Sequence, residues 1–219
     1  MNKTECIKKA CEITDKVFSE IMDNFYFKTE KELDKFIRKK ARQNKVKLAF
    51  PPIVASGKNA SEIHHKPKNS KLKGFTAIDF GFKFRGYCSD MTRTVFIGKI
   101  NNYQKKLYEK VKNVQENAVK RLKMGVKYSE LDIKSRKELG KKLKKKFKHA
   151  LGHGVGSKIH QNPKISPKSK DIAKIGDIVT IEPGLYFNNR YGLRIEDTLI
   201  VTKKGCEILT KSDKKLIII

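Results

Sequence analysis

Four carboxylates set inside apolar, strand-prone stretches constrain this chain more than any other feature. Asp79 lies in Ile78-Asp79-Phe80-Gly81, Asp90 in Cys88-Ser89-Asp90-Met91, Glu182 in Thr180-Ile181-Glu182-Pro183 and Glu196 in Arg194-Ile195-Glu196-Asp197. Aspartate is depleted in strands, and buried like charges repel unless a multivalent cation lies between them. A fold that buries these stretches must therefore gather compensating charge in one place. His153, set between Gly152 and Gly154, is the fifth candidate, and the five together suggest a two-metal hydrolytic site.

Counting along the strands tests the idea. Residues 74–84 and 86–98 are two β-rich runs with a turn signal at Arg85-Gly86. With those two as the loop, Phe84 pairs with Tyr87, Gly81 with Asp90 and Asp79 with Thr92. Asp79 and Asp90 then share a face one diagonal step apart, within joint reach of a cation. The competing reading is a pair of edge aspartates facing water. A second pair of runs, 177–187 and 191–202, flanks Asn188-Asn189-Arg190. A three-residue loop there sets Glu182 opposite Glu196 and Gly184 opposite Arg194. Directly opposed Cβ atoms lie roughly 4.5–5.5 Å apart, where like charges destabilise. Arg194 offsets only part of that cost, and a cation would remove it.

Between the pairs runs His149-Ala150-Leu151-Gly152-His153-Gly154-Val155-Gly156-Ser157-Lys158-Ile159-His160. Its three histidines suit metal ligation or proton transfer, and its glycines permit close backbone approach. A purely structural Gly-rich turn is the alternative. No glutamate follows either of the first two histidines in the zincin pattern. His64 and His65 fall in a polar loop, 58–73, where solvated histidines are the plain reading.

The remaining chain supplies packing elements. Apolar spacing predicts a helix over 4–24. Thr29-Glu30-Lys31-Glu32 reads as a capping box for a second helix to about residue 43. Prolines 51 and 52 fix the start of a strand running to Gly57. A third helix spans 101–124, and Ser129-Glu130-Leu131-Asp132 resembles a capping box for a fourth, to about Phe147. Short strands at 206–209 and 216–219 close the chain. The order of helices, β-pair, helices, β-pair describes two α/β halves related by a pseudo-twofold, in a single domain over 1–219.

Composition excludes some functions. No stretch approaches the roughly 20 apolar residues of a membrane span. Charged residues near the N-terminus leave no export signal, so a cytoplasmic location is expected. Four scattered cysteines fit reduced thiols. The net charge of +28 comes from 43 Lys and only 8 Arg. Nucleic-acid binders draw on arginine for bidentate contacts, so a general lysine bias or a thermophile surface explains the charge better than nucleic acid does. The densest run, Lys141 to Lys148, reads as a solvated helix end, with docking of an acidic partner as the sharper alternative.

Five motifs then fall into a known order. Ile78-Asp79-Phe80-Gly81, Tyr87-Cys88-Ser89-Asp90-Met91-Thr92-Arg93-Thr94, Gly152-His153-Gly154-Val155-Gly156, Ile181-Glu182-Pro183-Gly184-Leu185-Tyr186 and Gly192-Leu193-Arg194-Ile195-Glu196-Asp197 resemble the M24 metallopeptidases over nearly the whole chain. That resemblance implies the pita-bread fold, an α/β (α+β) architecture of two pseudo-symmetric halves with antiparallel sheet around a dinuclear metal centre. It implies that Asp79 chelates one metal, that Asp90 and Glu196 bridge both, and that His153 and Glu182 complete the other. The metals would be Mn, Co, Fe or Zn. A hydroxide held between them would attack the scissile carbonyl, with Glu182 as proton shuttle. His160 resembles the family histidine that contacts the tetrahedral intermediate, and His64 the one near the scissile bond. Arg194 would orient a ligand carboxylate, and His149 matches a histidine lining the pocket in the Xaa-Pro branch.

The Tyr-Cys-Ser-Asp-Met-Thr-Arg-Thr and Glu-Pro-Gly-Leu-Tyr runs look more like that branch than like methionine aminopeptidase. Two departures stand out. The branch normally carries an N-terminal domain that helps close the site, for which this chain has no room, and Gln161 replaces the usual acidic residue after His160. The leading expectation is an exopeptidase cleaving Xaa-Pro peptides, with a homodimer as the oligomeric option although the domain relatives often dimerise through is missing. The alternatives are a methionine aminopeptidase, or a basic, non-catalytic M24-like binding module. Such a module would be expected to lose metal ligands, and all five are present.

Overall fold

The computed structural model describes all 219 residues. Helix α1 (Lys3–Asp23) opens on Asn2, whose side chain accepts the Glu5 amide while the Glu5 carboxylate accepts the Asn2 amide. Its face of Ile7, Ala10, Thr14, Val17, Phe18 and Ile21 is buried. Helix α2 (Glu30–Gln43) starts at Thr29, which accepts the Glu32 amide at 3.2 Å. The Glu32 carboxylate reaches back to the amide of Lys28, one residue beyond the expected box.

The strands that follow are β1 (Lys47–Leu48), β2 (Ile53–Ser56), β3 (Gly74–Phe80), β4 (Phe82–Phe84), β5 (Tyr87–Cys88) and β6 (Met91–Ile97). Arg85 and Gly86 both take positive φ, 47° and 87°, as the right-handed twist of a two-residue hairpin asks. The predicted pairs Phe84↔Tyr87 and Asp79↔Thr92 form. The hairpin nevertheless serves two sheets. Its inner part joins an antiparallel β2-β3-β6 sheet, and its tip pairs with β1. The ladder breaks between them because Ser89 turns inward, its hydroxyl accepting the Phe82 amide at 2.9 Å. A Cβ on Gly81 would lie 1.8 Å from the Ser89 carbonyl oxygen, so only glycine passes there.

Helix α3 (Asn102–Arg121) is capped reciprocally by Asn101 and Gln104. Helix α4 (Tyr128–Leu143) departs from expectation at both ends. It begins before Ser129, with Lys127 at the cap position and no side-chain cap. Asp132 cannot close a capping box because it is buried and accepts from the Leu151 amide and from Arg136. The helix ends short of Phe147: Gly140 at φ 80° kinks it, and Lys144–Lys146 form a 3₁₀ turn. The second half is completed by β7 (Gly152–Gly154), β8 (Gln161–Ile165), β9 (Ile178–Ile181), β10 (Gly184–Phe187), β11 (Tyr191–Arg194), β12 (Asp197–Val201) and β13 (Cys206–Ile208). Five of them form an antiparallel sheet in the order β13-β12-β9-β7-β8, and β10 pairs with β11. The apolar tail lies beside β6, where Ile218 bridges Phe96 in parallel.

Each half buries its own core. Val17, Ile21, Leu33 and Ile37 of α1 and α2 pack on Val54, Ile78 and Phe80. Val111, Val114 and Leu131 of α3 and α4 pack on Val179, Ile181 and Leu199. Each such side chain contributes ~1.5–3 kcal/mol on burial. A smaller cluster of Ile7, Cys11, Cys88, Val155, Ile178 and Leu209 joins the halves. All four cysteines are free, and no helix is long and apolar enough to cross a membrane.

Candidate metal centre

The five singled-out side chains come from β3, β7 and three breaks in the ladders, and all of them line one cavity of about 470 Å³. Glu182 and Glu196 show why breaks suit the task. Ile181↔Asp197 on one side and Gly184↔Arg194 on the other keep a single register, so the two glutamates face each other as counted. Their amides do not pair. The Glu182 amide donates to the Leu151 carbonyl at 2.8 Å and the Glu196 amide to the Thr92 carbonyl at 3.1 Å. The open ladder leaves space between the two carboxylates and stitches Glu196 to the first hairpin. Asp90 sits at the Ser89 break, its amide donating to the Thr198 hydroxyl at 3.3 Å.

His153 is held on both sides by backbone packing. A Cβ on Gly152 would meet the Thr180 carbonyl oxygen at 1.9 Å, and one on Gly154 the Asn162 carbonyl oxygen at 2.3 Å. The histidine's Nδ1 donates to the Gly154 carbonyl at 3.1 Å. That leaves Nε2 as the lone-pair nitrogen, 3.3 Å from Glu182 Oε1 and 3.5 Å from Asp90 Oδ2. Threonines fix the carboxylates: Thr92 donates to Glu196 Oε2 at 2.6 Å and Thr180 to Glu182 Oε1 at 3.1 Å.

The electrostatics of this cluster call for a cation. Burial, then the charges of Glu196, Asp79 and Glu182, push the Asp90 carboxyl well above the usual range. Burial, then Glu182 and Asp79, do the same to Glu196. Burial pushes Glu182 up to about 8 against the pull of Arg194, and burial lowers His153. Without added positive charge these groups cannot all take the ligand form at neutral pH. Donor atoms of Asp90, His153 and Glu196 lie within 4.8 Å of one another. Asp79 Oδ1 is buried with no hydrogen-bond partner, as a carboxylate oxygen reserved for a metal would be. Four carboxylates and one imidazole make a donor set suited to Mn, Co, Fe or Zn.

Arg194, almost fully buried, donates to Asp79 Oδ2, to the Thr92 hydroxyl at 3.0 Å and to the Tyr186 hydroxyl at 2.7 Å. Tyr186 in turn donates to His149 Nε2 at 2.8 Å, and His149 Nδ1 donates to the Ala150 carbonyl. Both nitrogens of His149 are thus engaged within the protein, while its ring lines an adjoining cavity. Burial, then Arg194, hold it neutral, at about 3. His160 stacks edge-on against His153 with ring centroids 4.4 Å apart. His160 and His64 border both cavities, and Phe50, Pro51, Pro52, Ile63 and Ile159 add an apolar wall.

Several functional-looking groups escape sequence reading. His65 is buried, not solvated, and it bonds Glu30, an equally buried helix residue. Arg93 is also fully buried, donating to Asp197 Oδ1 at 2.7 Å and to the Glu196 carbonyl. A lone charged residue inside an otherwise uncharged strand, Met91–Ile97, was the available signal for the second. Nothing local marks the first.

The model of metallopeptidase family M24 matches residues 5–203. An uncharacterized peptidase of Methanocaldococcus jannaschii is 41% identical over 94% of this chain and 61% of its own length. A Xaa-Pro dipeptidase of Pyrococcus furiosus is 38% identical over 97% of this chain and 63% of its own. The crystal structure of a prolidase from Thermococcus sibiricus superposes with a TM-score of 0.94 at 39% identity, covering 99% of this chain and 61% of that one. The mixed α/β architecture with antiparallel sheets is therefore the pita-bread fold. This chain spans about three fifths of the length of these relatives.

Proposed function

The chain belongs to the M24 metallopeptidase family, and on that premise we propose that it is a metal-dependent exopeptidase hydrolysing Xaa-Pro peptide bonds. The observation that carries this reading is the convergence of Asp79, Asp90, His153, Glu182 and Glu196 on one cavity that also has an apolar wall. These five would hold two divalent cations drawn from Mn, Co, Fe and Zn. When bound, such cations polarise a scissile carbonyl and make a water more acidic.

The chain's own groups do the rest. Glu182 accepts the proton of the attacking water and passes it to the leaving prolyl nitrogen. Its burial suits it to hold that proton, and Thr180 keeps Oε1 in place. His160 and His64, which border both cavities, serve the reacting carbonyl, His160 by contacting the tetrahedral intermediate and His64 near the scissile bond. Arg194 orients Asp79 and is itself steadied by Tyr186 and His149. Phe50, Pro51, Pro52, Ile63 and Ile159 give a pyrrolidine ring a dry surface. Four free thiols, three of them buried, fit a reducing, cytoplasmic setting.

The test compares cleavage of Xaa-Pro dipeptides, longer Xaa-Pro peptides and Met-Ala peptides by protein loaded with Mn²⁺ or Co²⁺. Xaa-Pro cleavage is expected, and Glu182→Gln should lower kcat by about 10²–10⁴-fold, the usual worth of a positioned acid–base group. Metal-loaded protein that cleaves none of them, or that prefers Met-Ala, contradicts the reading.

A further inference from the structure

We propose that Glu30 is a positioning residue for His64, acting through His65 and the loop that carries both histidines. The Glu30 side chain is wholly buried, and each of its oxygens is used twice. Oε1 accepts the Ser56 amide at 2.8 Å and the Asn59 side-chain amide at 2.9 Å. Oε2 accepts from His65 Nε2 at 2.9 Å and from the Lys68 amide at 3.0 Å. Every one of those partners belongs to residues 56–68, and together they bracket His64 from both sides. One carboxylate thus anchors the loop at its entry, its middle and its exit.

Other contacts make the same connection. At the start of α2 the amides of Glu30 and Lys31 donate to the carbonyls of Ser70 and Lys68 at 3.1 and 3.0 Å, so the helix N-terminus engages the far end of the loop. On the opposite side the turn at Gly57–Ser61 presses against β11, where a Cβ on Gly192 would come within 2.0 Å of the Ala60 carbonyl oxygen. His65 Nδ1 meets Glu62 at 2.8 Å, so the ring is clamped between two carboxylates. His64 itself makes no hydrogen bond to the protein and is exposed toward the cavities it borders. Its position is therefore set by the loop, and the loop by Glu30. The N-terminal turn of α2 carries this device into the site, since Asp34 and Arg38, one and two turns further on, reach the same cavity rim.

This inference rests on His64 being a substrate-contacting histidine in the proposed peptidase. A misplacement of about 1 Å in such a group can cost about 10²-fold in rate. Glu30→Gln keeps the shape but turns a donor toward His65 and the Lys68 amide. In metal-loaded full-length protein it should lower kcat/KM for glycyl-proline by about 10²-fold with bound metal unchanged. The decisive reading is the double variant. If Glu30 acts through His64, E30Q combined with His64→Ala loses no more than His64→Ala alone. A purely structural role would make the two losses multiply, and that result, or full activity in E30Q, overturns the proposal. If the wild type cleaves no Xaa-Pro peptide, the functional reading fails separately, and hydrogen exchange then decides the positioning. Faster amide exchange confined to residues 57–68 in E30Q supports it, and unchanged exchange there overturns it.

Discussion

Asp90, Glu182 and Glu196 each hold a proton above the usual carboxylate range, and that has a consequence for stability. A carboxyl whose folded pKa exceeds its unfolded value binds more protons when folded, between the two values. Folding is then favoured at low pH and loses ground as pH rises through the window. For Glu182 the window runs from the ordinary 4.5 to about 8. Below about pH 6.5 His149, His153 and His160 work the other way, since burial holds each below its ordinary value and they take up protons only on unfolding. Metal-free protein should therefore melt at progressively lower temperature from about pH 6.5 to about pH 8, and the rise in melting temperature on adding Mn²⁺ should grow over the same range. Thermal scans with chelator and with metal check this, and a metal-free melting temperature that climbs across that range would contradict it. At this scale the sequence speaks unevenly. Asp79 and Asp90 are conspicuous because acids are out of place in apolar strands. Glu30 hides, because an acid in the first turn of a helix has an ordinary reason to be there, and His65 hides for the matching reason in a lysine-rich loop. Their burial follows from contacts between distant segments that no local pattern encodes.

Of the five candidate ligands, Asp79 and His153 lie within strands, and Asp90, Glu182 and Glu196 lie where ladders are interrupted. The register of both hairpins was readable by counting, since Arg85-Gly86 and Asn188-Asn189-Arg190 fix the loops and side chains alternate with period two. The interruptions were not readable, because they depend on what the freed amides find: Leu151, Thr92 and Thr198 lie far away in the chain. The capping box at Ser129 failed for a similar reason, its acid being drawn to Leu151 and Arg136. Glycine on either side of His153 lets β7 press against β9 and β8. Adding a methyl at Gly152 drives it into the Thr180 backbone, which cannot swing aside as a side chain can. Gly152→Ala should cost about 1–3 kcal/mol in a urea-unfolding measurement and weaken metal binding, whereas wild-type stability and affinity would show that the sheet yields there freely.

Across the whole molecule the centre lies where two separately packed halves meet, and Arg93 bonds across that seam. From β6 it reaches Asp197 and the Glu196 carbonyl in the second half and the Ser212 carbonyl near the C-terminus. Burial works against ionising Asp197, yet Arg93 and Lys214 hold its carboxyl below the usual range. Truncating one partner of a buried ion pair costs about 3–5 kcal/mol. Arg93→Ala should lose stability on that scale in chemical denaturation, and a loss under about 1 kcal/mol, the worth of a surface pair, would deny it this role. The two-half plan was legible from the alternation of helices and β-pairs, while the polar seam was not. The charge of +28 needs no role in the chemistry. The most direct test of the central claim is a cobalt(II) titration of metal-free protein, with visible absorption and glycyl-proline hydrolysis followed together. Binding that saturates at two equivalents, is weakened in Asp90→Ala and Glu196→Ala, and switches on hydrolysis is the predicted result. Cobalt binding indifferent to both substitutions, or saturation without hydrolysis, would contradict the account.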